Sequence, residues 1–397
     1  MPVVEGSAAP LRVSAAEQGA LLRPRVPKGL RVVLTGNTCF KIANFREGLI
    51  RALLAHGCEV LVLAPTDGYR EKLEAMGCGV YDLPMDRNGT SPFTEAALLF
   101  RIFAFLRRER PDMVFGYTIK NNIYAGLTCR WLSIPFVPNV TGLGPAFNEQ
   151  GALNQIVRTL YRVAFARACA VFFQNPDDRA TFLAAKLVEA SRTRLLPGSG
   201  VDLSRFMAQP MPSKKKNVTF LLVARLLWDK GISLFVEAAR VLHEKYPHAQ
   251  FQLLGPPDPA SRSGIPVEQI EAWAREGVIE YLGQTQDVRP ALAAADCIVL
   301  PSWYREGTPR VLLEAAALGR PVITTDMPGC RDAVDDGVTG FICSPRDREE
   351  LIAAMERFIV LPHAERAVMG LAARARAEDQ FDERHVIEGY LAFLSRG

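Results

Sequence analysis

Apolar, β-branched runs of three to seven residues recur along this chain, each separated from the next by a segment of helical period. In the first half they are Val32–Thr35, Val60–Ala64, Met113–Tyr117, Phe136–Val140 and Val171–Gln174. In the second half they are Val218–Ala224, Gln250–Leu254, Val278–Leu282, Cys297–Pro301, Val322–Thr325 and Phe341–Cys343. A strand with one wet face alternates apolar and polar residues; these runs are continuous, so both faces must be covered. Helices between the strands supply that cover and carry the chain back for a parallel neighbour. The pattern restarts after Leu196-Pro-Gly-Ser-Gly-Val-Asp202 and the basic spacer Ser213-Lys-Lys-Lys-Asn217. The expectation is therefore an α/β chain of two doubly wound, Rossmann-like domains at 29–200 and 201–378. A disordered leader at 1–28 precedes them, and a segment at 379–397 with a helix near Asp382–Leu394 follows. In such sheets ligands bind outside the carboxyl ends of the strands, so two facing domains would bury a ligand between them.

Composition narrows the class. The chain has 397 residues, 49% hydrophobic and 23% charged, enough for two ordinary soluble domains. No stretch reaches the ~18 uninterrupted apolar residues of a membrane-spanning helix. The longest approach, Ala96 to Leu106, contains Arg101. The leader carries Glu5 and Glu17 without an apolar core, unlike a secretory signal. Eight cysteines form no C-x-x-C pair and read as small buried hydrophobes in a reducing cytoplasm. The sequence has no D-x-D. A diphosphate site here must use protein cations and dipoles, and no metal or other cofactor is expected. Residues 1–198 hold 24 Lys/Arg against 16 Asp/Glu, whereas the remainder holds 23 against 27. A basic first half suits an anionic membrane surface or a diphosphate lipid better than nucleic acid, because no basic stripe is interleaved with aromatics.

Chemistry concentrates in Tyr304-Arg-Glu-Gly-Thr-Pro-Arg-Val-Leu-Leu-Glu314. Thr308 is expected as a helix N-cap and Pro309 as the first helical residue, with the helix running through Val311–Leu318 to Gly319. Its free N–H groups and positive dipole end suit a phosphate. Glu306 before the helix and Glu314 within it could then hold hydroxyls on the two sides of a diphosphate. Read alone, two glutamates around a capped helix are ordinary solvated side chains. The ordered string Gly319-Arg-Pro-Val-Ile-Thr-Thr-Asp-Met-Pro-Gly329 and Asp336-Gly-Val-Thr-Gly-Phe341 that follows argues for a built site.

This segment resembles the donor-site signature of retaining glycosyltransferases of the GT-B fold, the glycosyl transferases group 1 or family 4. The resemblance implies donor binding by Gly307, Thr308, Pro309, Arg310, Val311 and Glu314, with Glu306 at the donor sugar and Glu314 at the ribose. A second resemblance lies in Phe220-Leu-Leu-Val-Ala-Arg225-Leu-Leu-Trp-Asp-Lys230-Gly231. An apolar strand there delivers an Arg and then a Lys, suited to neutralising a departing diphosphate. Glu306, Arg225 and Lys230 are thus the expected catalytic residues. Gly36 and Asn37, in the turn after the first strand, match the family's glycine-rich loop in part, with one glycine rather than two. Gly255 and Gly283, at strand ends of the second domain, are expected to help seat the base.

Tyr117-Thr-Ile-Lys120 and Pro138-Asn-Val-Thr141-Gly142-Leu-Gly144 are similar to bacterial members that extend polyprenyl-diphosphate-linked glycans. The resemblance implies that Lys120, Asn139, Thr141 and Gly142 meet the acceptor or a sugar. It also implies that the C-terminal helix crosses back to the first domain. Many members carry a first-domain histidine near the donor sugar; here the only one, His56, reads as a helix terminus, so no catalytic histidine is carried over. Helix Gln155–Ala170, with Arg158, Arg162 and Arg167, and helix Phe100–Arg110, with Arg107, Arg108 and Arg110, have basic faces that suit an anionic bilayer as well as plain solvation.

The combined expectation is a retaining, metal-independent enzyme moving a hexose or N-acetylhexosamine from a UDP-sugar to a lipid-linked acceptor. It would serve surface polysaccharide or glycoprotein glycan synthesis and be cytoplasmic, peripheral on the inner face of the membrane. A UDP-sugar epimerase of the same fold and a non-catalytic nucleotide-sugar-binding protein are the alternatives. A dinucleotide-dependent dehydrogenase lacks its G-x-G-x-x-G after the first strand.

Overall fold

The computed structural model describes residues 26–86, 89, 91–143, 151–212, 217–259 and 261–395. Most of the expected leader, Gly144 and spacer residues 213–216 lie outside the described residues. Seven strands, β1 (Arg31–Thr35), β2 (Glu59–Ala64), β3 (Gly79–Asp82), β4 (Met113–Tyr117), β5 (Phe136–Val140), β6 (Val171–Phe173) and β7 (Thr193–Leu195), form one parallel sheet. Its order is β3-β2-β1-β4-β5-β6-β7. Six more, β8 (Thr219–Val223), β9 (Gln250–Leu254), β10 (Glu280–Tyr281), β11 (Cys297–Leu300), β12 (Val322–Thr325) and β13 (Gly340–Cys343), form a second parallel sheet, in the order β10-β9-β8-β11-β12-β13. Every continuous apolar run became a strand, because helices cover both faces; β4, β5, β11 and β12 are buried along their whole lengths. The strand order reverses between β1 and β4 and again between β8 and β11, which opens a crevice at the carboxyl ends of each sheet.

Helix Glu383–Leu394 follows the second sheet in sequence but packs on helix Glu47–Ala55 of the first. Tyr390 is its anchor. Its ring lies 4.8 Å edge-on from both Phe115 and Phe172. Its hydroxyl accepts a 2.8 Å hydrogen bond from Asn139 Nδ2. The entry to this helix touches the other interdomain segment: Val201 N donates to Phe381 O at 2.8 Å and Glu383 N to Val201 O at 3.1 Å. The Glu383 carboxyl is pressed against Gly48, where an added Cβ would stand 2.4 Å from Oε1. Burial, reinforced by the charge of Asp202, pushes this carboxyl up to about 7.

A second junction ties loop 304–308 to the first domain. Arg305 Nε reaches the fully buried Asp178 at 2.8 Å, and its Nη2 donates to Thr181 Oγ1 at 2.9 Å. Asn175 Nδ2 donates to Glu306 O and Gly307 N to Thr141 O, at 3.1 and 3.2 Å. Thr308 Oγ1 donates to Gln174 O at 2.9 Å. Gly142 and Gly329 press on Gly307 from two sides. A Cβ on Gly142 (φ +117) would meet Gly307 N at 3.0 Å, and one on Gly329 (φ +84) would meet Gly307 O at 1.6 Å. Only glycine gives both that backbone conformation and that approach.

Two outcomes follow for stability. Asp178→Ala and Arg305→Ala should each cost about 3 kcal/mol, since either leaves a charge without its partner in a dry seam. In urea unfolding the double variant should cost clearly less than the sum; additivity would show that the two side chains act independently. Glu383, whose pKa rises from 4.5 unfolded to about 7 folded, contributes no penalty below pH 4.5 and its full penalty above about 7. Glu383→Gln should therefore be neutral at pH 4 and stabilising by about 2 kcal/mol at pH 8, after allowance for partial solvent screening. Equal effects at both pH values would refute the titration.

Candidate functional site

The crevice between the sheets collects the expected catalytic trio from two β-strand ends. Strand β8 delivers Arg225, then a short turn, Trp228–Lys230. Strand β11 delivers Ser302 and the loop that carries Glu306. The Lys230 ammonium forms an ion pair with the Glu306 carboxylate. Ser302 Oγ donates to the same oxygen, Oε1, at 3.2 Å. Tyr304 stands beside them with its ring centroid 6.0 Å from Lys230 Nζ. Burial, with the nearby Glu306 charge, raises the Tyr304 hydroxyl above its ordinary pKa. Arg225 lies more open to solvent and pairs with Asp258 at 2.8 Å.

The helix after Glu306 is Arg310–Ala317, one residue later than expected. Pro309, extended at φ −60° and ψ 122°, is its N-cap, and Arg310 its first helical residue. Thr308 does not cap it, because its hydroxyl is committed to the Gln174 carbonyl of the first domain. No side chain among the described residues caps the first N–H groups of this helix, so the amides of Arg310 and Val311 have no intrahelical partner. Four residues on, Glu314 is nearly buried and accepts from Arg310 Nε at 2.8 Å. Burial raises the Glu314 carboxyl, and Arg310 pulls it back. The Arg310 guanidinium also lies 5.3 Å from the Phe45 ring of the first domain.

Gly255 and Gly283 meet at the edge of the second sheet, where Gly255 N donates to Gly283 O at 2.8 Å. Tyr281 Oη donates to Gly255 O at 2.9 Å and closes that corner. Across the crevice, Gly36 O accepts from Asn121 Nδ2 at 3.1 Å. Asn37 follows it, its Oδ1 buried without a hydrogen-bond partner among the described residues. Thr141 and Gly142 face the Glu306 loop directly, through the Thr141 carbonyl and the Gly142 backbone.

Two expected acceptor residues are placed differently. Asn139 is fully buried and holds Tyr390, so its side chain locks the crossing helix and reaches no sugar. Lys120 Nζ is surrounded by the Asp86 and Gly89 carbonyls and the Glu95 carboxylate, which tie it to the start of helix Pro92–Glu109. His56 caps its helix, with Nδ1 2.8 Å from Ala52 O. Sequence reasoning passed over Ser302, Arg305 and Asp178. Only their proximity to Glu306 in space marks them, and Arg305 and Asp178 are 127 residues apart in sequence.

Comparison with known proteins bears on the family and the fold. Residues 42–198 match the glycosyl transferase 4-like domain, and residues 217–360 match glycosyl transferases group 1. The two matches span roughly three quarters of the chain. The chain is 29% identical over 385 residues, 92% of its length and 99% of the relative's, to the N,N'-diacetylbacillosaminyl-diphospho-undecaprenol alpha-1,3-N-acetylgalactosaminyltransferase of Campylobacter jejuni. It is 25% identical, over 65% of its own length and 69% of the relative's, to the UDP-Gal:alpha-D-GlcNAc-diphosphoundecaprenol alpha-1,3-galactosyltransferase of Escherichia coli. In fold it is similar to HepE of Anabaena in complex with UDP and glucose, with a TM-score of 0.74 at 20% identity, covering 92% of this chain and 98% of that one. Two parallel-sheet domains, the crevice between them and both family matches lead to one conclusion: the chain belongs to the glycosyl transferases group 1 and has the GT-B fold.

Proposed function

We propose that the chain transfers a hexose or N-acetylhexosamine from a UDP-sugar to a polyprenyl-diphosphate-linked glycan, retaining the anomeric configuration and without a metal ion. The observation that carries this reading is the convergence of Lys230, Glu306 and the free N–H groups of helix Arg310–Ala317 on one end of the crevice. The activities named for the two bacterial relatives, both acting on diphospho-undecaprenol-linked sugars, support the acceptor class. A place in surface polysaccharide or glycoprotein glycan assembly, peripheral to the inner face of the membrane, goes with that acceptor.

The diphosphate would lie over the amides of Arg310 and Val311, with Arg225 and Lys230 against its charge. Lys230 would then exchange the Glu306 carboxylate for a phosphate oxygen. This leaves Glu306, still supported by Ser302, facing the donor sugar, where its charge favours the positive character that develops at the anomeric carbon. Glu314 would hold the ribose hydroxyls. The bond from the anomeric carbon to UDP breaks as the acceptor oxygen forms its bond on the same face. The acceptor proton passes to the departing phosphate oxygen, so no protein base is required. Gly255 and Gly283 would seat the uracil, and Thr141 and Gly142 the acceptor side of the crevice.

UDP release from a panel of UDP-sugars, with and without a polyprenyl-diphosphate-linked monosaccharide, tests the reading. Release should require one UDP-sugar and the lipid acceptor together, and the product linkage should keep the donor's anomeric configuration. Glu306→Gln should lower turnover by about a hundredfold or more while lowering the unfolding midpoint only modestly, since Lys230 loses its ion pair, and the exposed Arg225→Ala should lower turnover by about tenfold or more with the midpoint unchanged. UDP release or sugar conversion indifferent to acceptor would replace the transferase with an epimerase or hydrolase. UDP binding without turnover would replace it with a binding protein.

A further inference from the structure

Helix Pro92–Glu109 exposes aromatic side chains that no other element covers among the described residues. Phe93 is 87% exposed and Phe100 is 68% exposed. Phe93, Ala97, Phe100 and Ala104 follow one another at intervals of three and four, which lines them up along a single face. Arg107 continues the same line at the helix end, and Arg101 and Arg108 border it on one side. On the other side Phe103 meets Trp131 of helix Ile119–Leu132 edge-on at 6.4 Å, and Trp131 is itself 57% exposed. The two carboxylates of the helix turn away from this face. Glu95 is taken by Lys120 and Tyr124, and Glu109 by Arg31 and Arg108. An apolar stripe about 17 Å long, from Phe93 to Ala104, is thus bordered by arginines and carries no free negative charge among the described residues.

We propose that this face lies in the plane of an anionic lipid bilayer, with Phe93, Phe100 and Trp131 in the headgroup boundary and Arg101, Arg107 and Arg108 against lipid phosphates. Choosing a bilayer as the occupant rests on the lipid-linked acceptor proposed above, together with the charge complementarity. The placement refines the expectation from sequence. Helix Ala152–Phe165, the other basic candidate, spends Arg162 on the Ala185 and Lys186 carbonyls. On the docking helix Arg101 donates to the Pro84 carbonyl at 2.8 Å and Arg108 pairs with Glu109, while Arg107 at the end of the stripe has no partner among the described residues. Helix Pro92–Glu109 runs from the carboxyl end of β3 to the amino end of β4. Its Phe93 end therefore lies on the side where the crevice opens, and a lipid-anchored acceptor in the same leaflet would approach the crevice from that rim.

Flotation of the full chain with vesicles tests this. Binding is expected to vesicles of equal phosphatidylcholine and phosphatidylglycerol, to weaken with added salt, and to be much weaker on phosphatidylcholine alone. Phe93→Ser with Phe100→Ser should reduce partitioning at least about tenfold. Arg107→Glu should reduce it severalfold, on the anionic vesicles only. Val368→Ser with Leu371→Ser, which removes two exposed apolar side chains of the second domain, should leave it unchanged. Equal flotation of the wild type and the Phe93/Phe100 variant, or loss caused equally by the Val368/Leu371 variant, would overturn the proposal, as would absence of flotation. Turnover on a short-chain, water-soluble acceptor should be the same for the wild type and the Phe93/Phe100 variant, and a parallel loss there would also overturn it. Flotation without any sugar transfer would keep the docking face and reject the transferase reading.

Discussion

The loop from Tyr304 to Thr308 belongs to the second domain by sequence and to both domains by bonding. Its side chain Arg305 ends on a fully buried carboxylate of the first domain, and the backbone of Glu306 and Gly307 completes its hydrogen bonds there. A buried backbone polar group without a partner costs as much as a lost hydrogen bond, so this loop adopts its shape only when the two domains face each other. Glu306 rides on that loop. The position of the carboxylate is therefore a property of the closed pair of domains and not of either sheet alone.

Around that loop the charged groups are already paired. Lys230 holds Glu306, Arg310 holds Glu314, and Arg225 holds Asp258. Leaving any of the part-buried members alone would cost solvation that a crevice cannot return. A nucleotide diphosphate that enters such a site exchanges partners instead of meeting bare charges. The gain in binding is correspondingly the difference between two sets of ion pairs, which suits a donor that must also leave after its sugar has gone.

Much of the architecture was legible because continuous apolar runs admit few explanations. All six runs of the second half are strands. In the first half β3 and β7 escaped notice. Gly79–Asp82 has a single fully apolar buried residue, Val80, and Thr193–Leu195 is a sheet edge with Arg194 and Leu195 exposed. Local chemistry misled where a distant partner decided the outcome. Thr308 looked like a cap until Gln174, 134 residues away, took its hydroxyl. Asn139 looked free for a ligand, but Tyr390 lies 251 residues further along the chain and in contact with it. Lys120 looked like a cation awaiting a phosphate, and a glutamate and two carbonyls enclose it. Residue types can be read from a string of letters; which groups are spoken for depends on packing between segments that the string keeps far apart.

The chain passes between its domains twice, once near Val201 and once near Asp382, and these two passages are hydrogen-bonded to each other as a single parallel bridge. Two covalent crossings that lie side by side act as one pivot. Of the rigid-body motions open to two domains, translation and twisting would tear that bridge, and swinging about it would not. Thr308 of the Glu306 loop rests on Gly198 beside that pivot, and the loop's bonds to Asp178, Asn175 and Thr141 join the two domains, so a swing that parts the domains breaks them. Opening the crevice to admit a nucleotide and dismantling the loop that carries the carboxylate are thus the same movement.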